Sequence, residues 1–573
     1  MRLASLEVKN FRGIKNLKAN FPIDSSVLFL IGAGDSTKST VLTAISWLLR
    51  PSYYLEISDI DFYMGKTDQP IEINGSFVDF PKELIKENKY GFYLRKPDVD
   101  LDSHISDEPD KDGKFCLTIQ LSVDHLLEPT WNVVCNRLPP KQISANDRRK
   151  FSLRNIGENY SKDMVWSRSS ILNKYVDSTD ELQSLFLDTV RKAVKDADFK
   201  GLDVMLPKVL EISKKYGVPV QNLKNKMIMY NGKFSSEVGL FDNNVPLSLF
   251  GTGTRKLLSM GLNIDQTNDA SLFLIDELEI GLEPYRLKSV INHFRNMDKK
   301  HQIIVTTHSP VALAEAQYNE IYIVHSDNNG ITSIIPLPHS DDFVSVNRLQ
   351  ANIRRWPQSF LAKKLIVCEG KTEIGLIRAF DNYLENKKSL RLAFYGVDTF
   401  LGEGDNVIIN AIALYKCGYE VCVFMDNDKE KMVDEEKAKE FGIPLFRWKK
   451  NNSVEDQIFE DVSPDLVKKI VELAKELNQK IDVINSIKSI AADCLDNNDE
   501  INISRLNYDI RKKLGNLAKN KDKCWFKRID KGERLGKLIF DNIDNNDKIP
   551  FDSDLTKTFK RLKAWAIEEN ERK

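Results

Sequence analysis

The sequence has no long hydrophobic run. Its longest apolar stretches, such as "VLFLI" and "SLFLI", are strand-length and far short of the ~20 residues that span a bilayer. The N-terminus, "MRLASLEVKNFRG", alternates like a strand and lacks the apolar core of a signal peptide. The expectation is a cytoplasmic protein with no membrane partner. No Cys-x-x-Cys pair occurs among the seven cysteines, so neither a zinc site nor a disulfide framework is indicated. Internal repeats and low-complexity tracts are absent as well. Nor is there an excess of charge of one sign: the net charge is -1, so a nucleic-acid partner must be met by a local basic surface. The candidate is "RKKLGNLAKNKDKCWFKRIDKGERLGK", Arg511 to Lys537.

What is present is a chain of 573 residues, 42% hydrophobic and 29% charged, the profile of a globular protein. At about 150 residues per domain it needs more than one core. The first segment reads strand, turn, strand, loop, and then "STVLTAISWLL" has the apolar spacing of a helix. A second α/β block runs through "ASLFLIDE", a helical "PYRLKSVINHFRNM" and the strand "QIIVTTHSP". Between them lies a large insertion, in which "STDELQSLFLDTVRKAVKDA" carries helical spacing. A third block opens at "AKKLIVCEGKTEIGLIRAFDNYL" and continues to "YEVCVFMDND", an alternation that argues a second parallel sheet. Beyond Ser463 the chain is mostly charged and helical in period. The expected fold class is α/β, with domains at 1–355 (a helical insertion over about 150–235), 356–545, and a helical tail at 546–573.

"GAGDSTKST" resembles a phosphate-binding loop with one residue changed. Gly32, Lys38 and Ser39 meet the spacing, while Thr37 stands where the second glycine is expected. Gly34 and Thr40 complete the candidate nucleotide contacts. Lys38 would reach the β- and γ-phosphates and the Ser39 hydroxyl would hold magnesium. "LFLIDE" ends a buried strand in Asp276, near magnesium, and Glu277, where it can orient a hydrolytic water. "VTTHSP" ends the next in His308, positioned to sense the γ-phosphate. The bland alternatives are an ordinary turn, a solvated cap carboxylate and a satisfied core histidine.

In order and spacing these motifs resemble the ABC-type ATPase heads of the SMC and RecF group. "EVKNFRGIKNL" is similar to their first strand and "LSLFGTGTRKLLS" to their signature motif. The resemblance implies two heads that dimerise, with Thr252 and Gly253 of one contacting the nucleotide of the other. Against that pattern stand Thr37, Gly34 where relatives often have Asn, and "GLEP" in place of "GLHP".

"LIVCEGKTE" sets Glu369 at a strand end with Glu373 one helical turn on, and "VFMDND" sets Asp426 and Asp428 on one side of a later strand. Carboxylates converging at strand ends repel unless cations sit among them, and magnesium or manganese suits an all-oxygen site. The alternative is a surface turn. This pattern resembles the Toprim domain. An ABC-type head with a helical insertion followed by Toprim and C-terminal helices is the arrangement of the OLD family, which includes the Gabija nuclease subunit and retron-associated effectors.

That resemblance implies ATP binding, two metals, DNA cleavage and a homodimer or larger homo-oligomer. It also implies a defence role, with an accessory defence protein or noncoding nucleic acid as a further partner. Ser453 and Glu455 of "NSVEDQIFED" resemble second-metal ligands, with helix capping as the alternative. Lys531 or Lys527 of "CWFKRIDKGERLGK" is the candidate cation for the transition state. The rival readings are a DNA-clamping ATPase with structural carboxylates, and a Toprim primase or topoisomerase partner.

Overall fold

The computed structural model describes residues 1–97, 115–156, 162–166, 172, 200–230, 233–265, 271–297, 300–337, 346–428, 432–520 and 524–567. The chain divides into two compact units, Met1–Leu337 and Pro338–Lys573.

The first unit opens with β1 (Arg2–Phe11), β2 (Ile14–Asn20) and β3 (Val27–Ile31), followed by the helix Lys38–Leu48. Then come β4 (Ile71–Val78), β5 (Leu117–Val123), β6 (Pro129–Val134), β7 (Lys141–Gln142) and β8 (Leu153–Ile156). After β9 (Val165–Trp166), β10 (Leu223–Tyr230), β11 (Lys233–Asp242) and β12 (Val245–Pro246), the helix Thr252–Asp265 leads to β13 (Leu272–Ile275). The unit closes with β14 (Gln302–Thr306), β15 (Ile321–Ser326) and β16 (Ile331–Pro336). Twelve strands form one sheet in the order β7-β6-β5-β4-β1-β2-β16-β15-β3-β14-β13-β8. Strands β15, β3, β14, β13 and β8 run parallel; β3, β14 and β13 are buried along their whole length, as strands covered on both faces are, while the edge strand β8 is not. Strands β2, β1, β4, β5, β6 and β7 pair antiparallel in that order.

Among the described residues, the insertion is mixed rather than helical. It holds the short helices Lys200–Asp203 and Leu206–Lys215 and the β10–β11 hairpin. The hairpin had a legible cause: Tyr230 pairs with Lys233 across the dipeptide Asn231-Gly232, the strongest short hairpin signal. The helix expected over 178–197 lies outside the described residues.

The second unit contains β17 (Lys364–Cys368), β18 (Val397–Leu401), β19 (Glu420–Met425) and β20 (Leu445–Arg447), all parallel, in the order β18-β17-β19-β20. The chain leaves β17 toward one side and returns to the other. This reversal opens a crevice at the carboxyl ends of β17 and β19, where ligands bind in open α/β sheets. The first connecting helix, Lys371–Asn386, crosses the helix Ile529–Phe540 with backbone nearly touching. A Cβ on Gly375 would stand 2.5 Å from Glu533 N and one on Gly532 2.7 Å from Thr372 O, so any side chain there forces the helices apart.

The second unit begins at Pro338, ahead of the expected boundary at 355; Arg355 already pairs with Glu403 of this unit at 2.7 Å. The expected tail is likewise part of its core: the helix Asp554–Ile567 buries Leu555, Phe559 and Leu562 with Phe424 and Trp448. All seven cysteines are free thiols. No described helix is long and apolar enough to cross a membrane.

Candidate functional site

Two clusters of charged side chains form, one in each unit. In the first, β3 feeds the loop Gly32–Thr37 and then the helix Lys38–Leu48. Gly32 has φ 144°, and a Cβ there would meet Val324 O at 2.4 Å, so glycine is required. Thr37 also takes a left-handed conformation, φ 67°, which is strained for a β-branched residue. Its side chain is accommodated away from the loop. The Oγ1 atom lies 3.3 Å from Thr332 Oγ1, and the methyl group faces Gly13, where a Cβ would come within 3.1 Å of it. Gly34 is exposed and Thr40 lies in the helix's first turn.

Lys38 is buried and folds back on the loop, donating to Gly32 O at 3.2 Å, Ala33 O at 2.7 Å and Ser36 Oγ at 2.9 Å. Burial lowers its pKa to about 8, against the pull of Asp276, Asp35, Glu277 and Glu279. Ser39 donates to Asp276 Oδ1 at 3.0 Å, the pairing expected of two magnesium-holding groups. Glu277 sits at φ 45° with its N–H donated to Thr306 Oγ1 at 2.8 Å. His308 is exposed, not a core histidine; partial burial and the nearby Lys38 charge lower its pKa.

Two further residues join this cluster. Glu279 accepts from Thr307 Oγ1 at 2.6 Å and His308 N at 2.7 Å, tying the ends of β13 and β14 together. Lys256 is fully buried and donates to Glu277 O at 2.7 Å; burial lowers its pKa to about 8. Its signal was present, since Lys256 lies in line with Met260, one turn on at i+4, among the buried residues of its helix. Thr252 is exposed, while Gly253 is buried against the loop after β13, where a Cβ would collide with Gly281 O at 2.0 Å.

In the second unit the crevice collects Glu369 after β17, Glu373 in the following helix, Asp426 after β19 and Glu455 in the helix Val454–Asp461. Asp426 N donates to Glu369 Oε2 at 3.1 Å, and Asp426 Oδ1 accepts from Val454 N at 2.8 Å. Glu373 and Glu455 are each 3% exposed, and Asp426 is half-buried. Asp428 is exposed. Burial, then the charges of Glu455 and Glu369, push Glu373 up to about 8. Burial and the other three carboxylates raise Asp426, and burial raises Glu455.

Ser453 is committed elsewhere: it caps its helix, accepting from Asp456 N at 3.2 Å and donating to Asp456 Oδ2 at 2.8 Å. Of the candidate lysines, Lys531 donates to Asn478 Oδ1 at 2.6 Å. Lys527 donates to Lys519 O at 2.6 Å, and its charge acts on Glu455. Sequence reading missed Lys519, which lies 2.7 Å from Asp456 Oδ2 and 3.9 Å from Asp428 Oδ2. It stands one helical turn after Gly515, whose missing side chain lets its helix approach Asp456.

The donor set suits a hard divalent cation. Glu373 Oε2 and Glu455 Oε1 are buried without a hydrogen-bond partner, and Gly370 leaves the room beside Glu373 Oε2 that a Cβ would fill at 2.8 Å. Glu455, Glu369 and Glu373 act on the ionisation of Asp426, yet among the described residues no three His, Cys, Asp or Glu side chains stand in an ion-holding arrangement.

Residues 1–124 match a family model described as "AAA ATPase domain". Residues 135–314 match one described as "AAA domain, putative AbiEii toxin, Type IV TA system". The first unit carries AAA-type ATPase domains. No curated protein matches the chain. Among solved structures, an SMC head bound to the C-winged helix domain of ScpA is 14% identical, with TM-score 0.37, over 58% of this chain and 98% of that one. An SMC head domain from Thermotoga maritima is 14% identical, with TM-score 0.30, over 59% of this chain and 100% of that one. At these scores the likeness to SMC heads carries no weight for function. The AAA-type assignment fits the loop of the first unit, whose geometry is that of a nucleotide site.

Proposed function

We propose that this chain is an ATP-binding, divalent-metal-dependent DNA endonuclease of the OLD type. On this reading it acts as a homodimer or larger homo-oligomer in bacterial defence. The observation that carries the nuclease reading is the crevice at the ends of β17 and β19, where four buried or half-buried carboxylates meet with two oxygens left unpartnered. A toxin is named in the description of the model that residues 135–314 match, and this supports an effector role.

Glu369, Glu373, Asp426 and Glu455 would hold the cation, with Asp428 at the exposed rim. When bound, a divalent pair supplies an activated water and a clamp on the leaving oxygen of a phosphodiester. The chain's own residues do the rest. Val454 N–H fixes the Asp426 carboxylate, and Asp426 N–H fixes Glu369. Lys519 and Lys527 are the cations nearest the cluster, suited to offset charge developing on the scissile phosphate. In the first unit, Lys38 would exchange its loop carbonyls for phosphate oxygens, and Ser39 with Asp276 would hold magnesium. Glu277 would orient water and His308 would read the γ-phosphate. Strain at Thr37 makes turnover slow, so bound ATP serves as a lasting signal that changes cleavage.

The test is plasmid cleavage by purified full-length protein in magnesium and in manganese, with and without ATP, and with a chelator control. Nicking or linearisation that needs the metal is expected. Salt-sensitive DNA binding without any cleavage would leave the DNA-clamping ATPase.

A further inference from the structure

We infer that a basic pocket in the second unit binds the phosphodiester backbone of duplex DNA, an inference that rests on the nuclease reading above. The pocket encloses about 340 Å³ and is lined by Arg447, Lys449, Asp554, Lys557, Lys560 and Arg561, with Trp448. Lys557, Lys560 and Arg561 follow one another at i, i+3 and i+4 and so share one face of the helix Asp554–Ile567. All three are exposed. Arg447 is paired with Glu435 at 2.7 Å and Lys449 with Glu460, whereas the three helix cations have no ion-pair partner among the described residues. Two are held over rings: Arg561 Cζ lies 5.5 Å from the Phe446 centroid and Lys560 Nζ 5.9 Å from that of Phe551. Cations arrayed this way bind a polyanion without first breaking salt bridges.

A second observation concerns Trp448. It lines the same pocket and is 2% exposed, yet its indole N–H has no acceptor. A buried donor of this kind is rare, and a water drawn from the pocket would satisfy it. Location supplies the third. Trp448 O accepts from Asn427 Nδ2 at 2.9 Å, and Asn427 N donates to Asn452 O at 2.9 Å, so the pocket is tied to the segment that carries Asp426 and Asp428.

The basic run Arg511–Lys537 differs. Much of its charge is already used: Arg511 on Glu460 O and Val462 O, Lys519 on Asp456, Arg528 on Asp530 and Arg534 on Glu476.

The test compares full-length wild type with the triple variant Lys557→Glu/Lys560→Glu/Arg561→Glu for binding of a short fluorescent DNA duplex in chelator across a salt series. A charge-matched control, Lys512→Glu/Lys513→Glu/Lys537→Glu, alters the other basic run. The pocket triple is expected to weaken binding by about tenfold or more and to reduce the salt slope by about 1 per lost phosphate contact. The control is expected to change much less. If the charge reversals disturb folding in thermal unfolding, the corresponding glutamine triple decides, with a smaller loss of affinity and the same loss of slope. Unchanged binding by the pocket triple, or an equal loss in the control, overturns the inference. The two proposals fail separately. Wild type that binds through this pocket but never cleaves refutes the nuclease and leaves the pocket, whereas wild type that cleaves while the triple binds normally refutes the pocket alone.

Discussion

The two sites deal with charge in opposite ways. In the first unit the loop satisfies itself: Lys38 donates to the loop's own carbonyls and Ser39 to Asp276. In the second unit like charges have no such recourse, and carboxylate oxygens of Glu373 and Glu455 remain buried without partners. An anion site made of backbone groups and one cation is stable while waiting for its ligand. A cation site made of carboxylates must hold a proton or an ion to be stable at all. The AAA-type unit is thus preorganised in a closed hydrogen-bond network, and the carboxylate unit stores electrostatic cost.

The sharpest way to break this comparison is to remove one carboxylate. Glu369→Ala or Asp426→Ala is expected to lower DNA cleavage by about three orders of magnitude or more, because on the proposed reading the cluster holds the ions that do the chemistry. Both variants should bind ATP like wild type by equilibrium titration. Full cleavage in either variant would return the cluster to a structural role.

Next in size is Lys38→Ala, expected to weaken ATP binding by about a hundredfold through loss of the charge that pairs with the phosphates. If nucleotide gates cutting, the same variant alters plasmid cleavage without touching a carboxylate. Identical cleavage by mutant and wild type, with and without ATP, would show two independent sites.

The proton linkage sharpens the comparison further. Glu373 rises from 4.5 to about 8, and Asp426 and Glu455 rise as well. The folded state therefore holds protons that the unfolded chain releases near its ordinary carboxylate values. Stability is then greatest below those values and falls as pH climbs from about 4.5 to 8. In chelator, the melting temperature is expected to drop on the order of 5 °C between pH 5 and pH 8. Magnesium, which binds the deprotonated cluster, should recover the loss at pH 8. Lys38 and Lys256, lowered to about 8, act only above that window. A melting temperature that is flat with pH and indifferent to magnesium would count against the cation site.

The smallest effect is expected at Thr37. Replacing it with glycine removes left-handed strain of about 1–3 kcal/mol, but also the packing on Gly13 and the contact with Thr332. Thr37→Gly is expected to speed ATP turnover several-fold with little net change in stability, measured by steady-state phosphate release. An unchanged rate would show that the threonine is not what slows the loop.

The elements and the motifs at their ends were legible in the chain. Buried parallel strands read as continuous apolar runs, and Asp276, His308, Glu369 and Asp426 each sit just beyond one, because strand ends are where side chains leave a sheet for solvent. The chain also held, unread, the dipeptide Asn231-Gly232 between the segments of β10 and β11, and the lysine Lys256 among apolar neighbours in the Thr252–Asp265 helix. Only the tertiary structure decided which charges meet. Lys519 lies 63 residues from Asp456, and no periodicity links them; the contact exists because Gly515 lets two helices approach. Whether a basic residue stays free was equally invisible, since Arg534 is bound to Glu476 while Lys557, also exposed, has no ion-pair partner among the described residues. Local pattern reports what a residue's neighbours in the chain require of it, whereas pairing, burial and the resulting pKa depend on groups brought together only by packing.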